Sequence, residues 1–113
     1  MIPALAAIKV IVTEILKKTA MIVRFNIDQV GEDQFDYRVS YEGEDLYGDE
    51  GLGSIEACIV AATEGLGTEP VGAEIAYRGV ISGTYPLATL ALASGQLAEH
   101  AMNTTAAIEE AYR

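Results

Sequence analysis

The sequence predicts an α+β domain: a small antiparallel sheet, built from a β-hairpin plus a third strand, with helices packed on one face. Three observations lead there. Val23, Phe25 and Ile27, then Phe35, Tyr37, Val39 and Tyr41, alternate with polar residues at a period of two. A serine-started segment of helical period follows from Ser54, and an alanine-rich tail of the same period runs on from Pro86. At 113 residues and 50% hydrophobic content the chain can bury one modest core, poor in large anchors because it holds no Trp and two Phe.

Taken in order, residues 3 to 19 read as an amphipathic helix. Pro3 suits its first turn, Leu5, Ile8, Val12 and Ile15 recur along one side, and Glu14 and Lys18 form an i,i+4 pair. The β-branched run from Ile8 to Ile15 makes a strand the competing reading. Met21 opens a self-sufficient pattern. Residues 1–20 are therefore expected as an appended N-terminal helix, dispensable or serving oligomerisation, and residues 21–113 as a single α+β domain. Lys9 and Glu14 interrupt the apolar run and no small-residue cleavage site follows, so neither an export signal nor a membrane anchor is expected.

The two alternating segments, parted by a polar stretch with Gly31 and Asp33, form the hairpin, and a one-residue slip would expose every aromatic. On its open face Arg24 and Arg38 are candidates to pair with Asp36 and Asp28, unless like charges end up opposed. Residues 42–53, with four glycines and five carboxylates, read as a mobile loop holding at most a short strand at Leu46-Tyr47. Ser54 then caps a helix that turns Ile55, Cys58, Ile59 and Ala62 inward and ends at Gly65 in a left-handed cap. A third strand runs from Val71 through Tyr77, with Val80 and Ile81 extending it past a bend at Gly79. The tail places Leu87, Leu90, Leu97, Ala98 and Ala101 on one side, with Gly95 inside the helix.

Charge is the most uneven property of the chain. Residues 28–56 hold ten of the seventeen carboxylates and one of the seven Lys and Arg, Arg38, in a chain of formal net charge −10. Such a field repels nucleic acid and anionic membrane and favours cations or a basic protein. The expected partner surface is Glu42, Glu44, Asp45, Tyr47, Asp49 and Glu50. As a calcium loop beginning at Asp45 the segment fails: Tyr47 occupies a ligand position, and Glu50 stands where the turn needs glycine. Cys58, the only cysteine, allows no intrachain disulfide and reads as a small buried hydrophobe in a reducing, cytoplasmic setting. His100 has no ligand or triad companion at suitable spacing. The glycine pairs Gly51/Gly53 and Gly65/Gly67 lack the lysine and third glycine of a phosphate loop. No catalytic residue, metal or cofactor is expected.

The order of hairpin, acidic segment and Ser-started helix over residues 22–66 resembles the antitoxin half of HicB-type toxin–antitoxin pairs at the fragment Ser54-Ile55-Glu56-Ala57. The Pro- and Gly-rich turn of that family is replaced here by Tyr41-Glu42-Gly43-Glu44-Asp45, and no basic DNA-binding tail is visible. The resemblance implies an analogy of kind: an acidic α+β domain that neutralises a basic RNase. The sequence therefore points to a non-enzymatic interaction module, homo-oligomeric, whose acidic edge docks on a basic partner. The alternative is a small-ligand-binding or enzymatic domain whose pocket is lined by Tyr37, Tyr41 and Tyr77.

Overall fold

The computed structural model describes residues 21–112; the N-terminal helix expected over residues 1–20 lies outside them. The class is the α+β architecture read from the alternation, on a larger sheet. Five strands, β1 (Ile22–Gly31), β2 (Gln34–Tyr41), β3 (Glu44–Leu52), β4 (Gly72–Tyr77) and β5 (Val80–Pro86), lie in the order β3-β2-β1-β4-β5. Helices α1 (Ile55–Glu64), α2 (Leu87–Leu92) and α3 (Ser94–Ala111) pack against it. The sheet is mixed. β1 and β4 are parallel at its centre, and every other pair is antiparallel. A parallel neighbour cannot be reached by a tight turn; β3 and α1 supply the crossover.

The period-two pattern sets the faces as expected. Val23, Phe25 and Ile27 of β1, Tyr37 and Val39 of β2, and Ala73, Ile75 and Tyr77 of β4 are buried toward the helices, with Ile55, Cys58, Ile59, Ala62, Leu90, Leu97 and Ala101 opposite them. Ser54 caps α1 as read, its Oγ accepting from the Ala57 N–H at 3.0 Å. Thr105, buried in α3, donates to the Tyr77 carbonyl at 3.0 Å and ties that helix to the end of β4.

Four local expectations differ. Residues 44–52 are a full strand, because β2 offers a free edge whose pairing outweighs the glycine-rich composition. Gly79 is half of a two-residue hairpin turn: Arg78 and Gly79 have φ of 53° and 80°, and Val80 starts a returning strand. The same device, Glu42 and Gly43 at 51° and 85°, joins β2 to β3. The C-terminal helix is broken at Ala93, leaving Gly95 in the first turn of α3. Gly65 does close α1, but with φ −79°, in the right-handed region.

Ile59 has no exposed surface, whereas Val60 on the outer side of the same helix is 39% exposed. Ile59→Ala is expected to cost about 3 kcal/mol by the loss of buried methyls and the cavity left behind, and Val60→Ala less than about 0.5 kcal/mol. Urea midpoints of the two variants check both.

Candidate functional site

β3 is one edge of the sheet, so the acidic segment forms a rim. Glu42 lies in the β2–β3 turn, and Glu44, Asp45, Asp49 and Glu50 are exposed along the strand. The strand is bulged twice against β2, between Phe35 and Tyr37 and between Val39 and Ser40. Bulges and charge both deter strand-to-strand aggregation at an open edge, and the extra residues break the strict alternation of its side chains.

Tyr47 stands apart from the other five. Paired with Val39, it points to the helical side, and its hydroxyl donates to the Ala62 carbonyl in the last turn of α1. Its ring meets Tyr37 edge-on at 6.4 Å and lies under Gly65, where an added Cβ would come within 2.6 Å of the ring. That contact, rather than a positive φ, is why glycine suits position 65. Burial, followed by the neighbouring Tyr37, pushes the Tyr47 hydroxyl up to about 12. Burial also raises Tyr37, with Asp49 adding to the effect. Tyr47 thus fastens the acidic edge to α1 from beneath.

The three tyrosines of the alternative pocket lie on the helical side of the sheet. Tyr37 and Tyr77 are core residues, Tyr77 packing 6.5 Å from Phe35 with its hydroxyl 3.5 Å from Gln29 Oε1, and Tyr41 packs at the core margin. A depression of about 470 Å³ opens on the other face, where Asn26, Asp28, Asp36 and Arg38 meet Asp49 and Glu50.

Asp28 and Asp36, absent from the expected surface, belong to this basin. They are direct cross-strand partners, so like charges do face each other. The described arginines do not relieve them: Arg24 Nε pairs with Glu74 at 2.6 Å, Arg38 with Asp45 at 3.9 Å and Arg78 with Glu109 at 3.2 Å. Asp36 accepts only the Gly51 N–H at 3.2 Å, and Asp49 the Glu50 N–H at 2.8 Å, among the hydrogen bonds of the described residues. Both aspartates fall on polar positions of the alternation, so their face was readable. Their opposition was not, because it depends on the register that the turn imposes.

Among the described residues no three His, Cys, Asp or Glu are grouped to hold a metal ion, and no helix is long and apolar enough to cross a membrane. Cys58 is fully buried, and desolvation, then Asp36, pushes its thiol up to about 11. In comparisons with protein-family models, curated proteins and solved structures, nothing matches this chain.

Tyr47→Phe keeps the ring and loses the bond to Ala62, and is expected to cost about 1 kcal/mol in denaturant melts. The pH dependence is read from Cys58 and Tyr47, with the raised Tyr37 acting in the same direction. The fold holds the Cys58 and Tyr47 protons more tightly than the unfolded chain does, so their contribution is complete below the ordinary values of 9.0 and 10.0. It is lost as pH rises through about 11 for Cys58 and about 12 for Tyr47. Urea midpoints measured upward from neutral pH should fall in that window, and less steeply at the top of it in Tyr47→Phe.

Proposed function

We propose that this domain is a non-enzymatic protein-interaction module whose acidic edge docks a basic partner. The observation that carries the reading is an uncompensated set of carboxylates at one edge of the sheet. Glu42, Glu44, Asp45, Asp49 and Glu50 line or flank β3, and Asp28 and Asp36 oppose each other beside them. Among the described residues only Arg38 answers them, over 3.9 Å and with both partners well exposed. Exposed pairs of that length contribute little. Two like charges held face to face cost the fold up to about 1 kcal/mol, and a lysine or arginine brought in by a partner would relieve that cost. Complementary charge of this kind speeds encounter and excludes anionic competitors.

In this reading the module works in the cytoplasm, where Cys58 stays a free thiol, and a small core gains by self-association. Tyr47 serves the surface indirectly, by holding β3 against α1.

Affinity capture from native lysate at low and high salt tests the proposal. The expected result is retention of a basic protein at low salt that is released at high salt. Replacing Glu44, Asp45, Asp49 and Glu50 together by their amides should abolish capture, and undiminished capture would reject the reading. Asp28→Asn separates binding from folding: it should raise the urea midpoint slightly while weakening capture.

A further inference from the structure

Among the described residues the sheet ends in two unpaired edges, β3 and β5, and they differ in charge. β3 carries Glu44, Asp45, Asp49 and Glu50, whereas Val80–Pro86 carries no charged residue. On the elements adjoining β5, Glu74 of β4 is held by Arg24 at 2.6 Å, and Glu109 of α3 by Arg78 of the β4–β5 turn at 3.2 Å. We propose that two copies of this chain join through β5, antiparallel about a two-fold axis at Thr84, into one continuous sheet.

The phase of the β4–β5 ladder sets the axis. Leu87 donates its N–H to the Val71 carbonyl at 3.1 Å, in register with the pairs Tyr85–Ala73 and Gly83–Ile75. Bonded and unbonded pairs alternate in an antiparallel ladder. Gly83 and Tyr85 therefore turn their N–H and C=O toward β4, and Thr84 turns both of its groups outward. Pro86, the next outward residue, offers a carbonyl and no N–H. A two-fold axis at Thr84 lets each copy's Thr84 exchange both bonds with the other, and sets Ser82 opposite Pro86. The bulge in β5 beside Ile75 and Ala76 ends the regular pairing there. Side chains agree with this register. Thr84 is exposed on the open face and would meet its own copy, a favourable cross-strand pair. Tyr85 folds back along its own strand, where a Cβ at Gly83 would run into its hydroxyl, so the ring leaves the outer edge clear.

Charge selects a second copy as the occupant. A basic protein finds no carboxylate on β5 to attract it, and an acidic one finds no cation. A chain of net charge −10 can approach itself most easily where its own strand is uncharged. In the joined sheet the strand order runs on in reverse, so the two β3 rims lie nine interstrand spacings apart. That is roughly 43 Å at about 4.8 Å each, several times the Debye length of about 8 Å at physiological salt. Pairing through β3 would instead hold carboxylates of the two copies about 5 Å apart. The inference rests on the self-association included in the proposed function and names its surface; it does not depend on β3 docking a basic partner.

Sedimentation of the full chain over a concentration series tests the proposal, with a monomer–dimer equilibrium as the expected result. Thr84→Lys should raise the dimer dissociation constant severalfold, because the two lysines meet at the axis. Within one copy the new lysine faces Glu74, so the fold accommodates it, and the smaller net charge would by itself favour association. Thr84→Cys supplies a second readout. Directly opposed residues sit about 5.5 Å apart between Cα atoms, within disulfide reach. Under a copper–phenanthroline oxidant it should form a linked dimer severalfold faster than Leu92→Cys, although Leu92 is 88% exposed; the buried Cys58 stays out of the reaction. A monomer at every concentration would overturn both self-association and this surface. A dimer that Thr84→Lys leaves intact, or equal rates of linkage for the two cysteine variants, would overturn the surface alone.

Discussion

Parallel pairing of β1 with β4 is the constraint on which the rest of the architecture depends. The pairing cannot be closed locally, so the chain must leave β3 and cross one face of the sheet as α1 before β4 can form. That crossing buries Ile55, Cys58, Ile59 and Ala62 over β1 and β2 and supplies one part of the helical side of the core. It also sends β3 and β5 to opposite edges. The acidic stretch becomes a rim instead of a central strand, where its carboxylates would have lost their hydration without partners.

One side chain joins that rim to the core. Tyr47 spends its ring on Tyr37 and its hydroxyl on the C-terminal end of α1, where carbonyls lack helical partners. The neighbouring residues of β3 are then free to carry charge, since one inward anchor and the ladder to β2 hold the strand. Gly65 is the counterpart on the helix: a side chain there would displace the ring. The edge is therefore well seated and polar at once, a combination that a glycine- and acid-rich composition conceals.

Electrostatics on the open face are unbalanced in a particular way. Each described arginine serves a carboxylate outside the Asp28–Asp36 pair. Consistent local and global preferences are the mark of a sequence that specifies its fold, and departures from consistency collect where something other than folding is selected. The opposed aspartates are such a departure, and they adjoin Asp49 and Glu50 of the rim.

Faces, the Ser54 cap and class were legible in the residues alone. Alternation of Val23 to Ile27 and of Phe35 to Tyr41, the Ser54 cap and the inward Cys58 each follow from short-range periodicity, which the hydrophobic effect enforces locally. The β3 strand was not legible, because isolated propensity disfavours it and only the free edge of β2 makes it form. The turns at Glu42-Gly43 and Arg78-Gly79 hid two strand returns, since a charged residue at positive φ is a weaker turn signal than asparagine. The acidic side chains were all visible in the sequence. Which of them share a surface was decided by register and by the parallel crossover, interactions between residues distant along the chain, and so only by the tertiary structure.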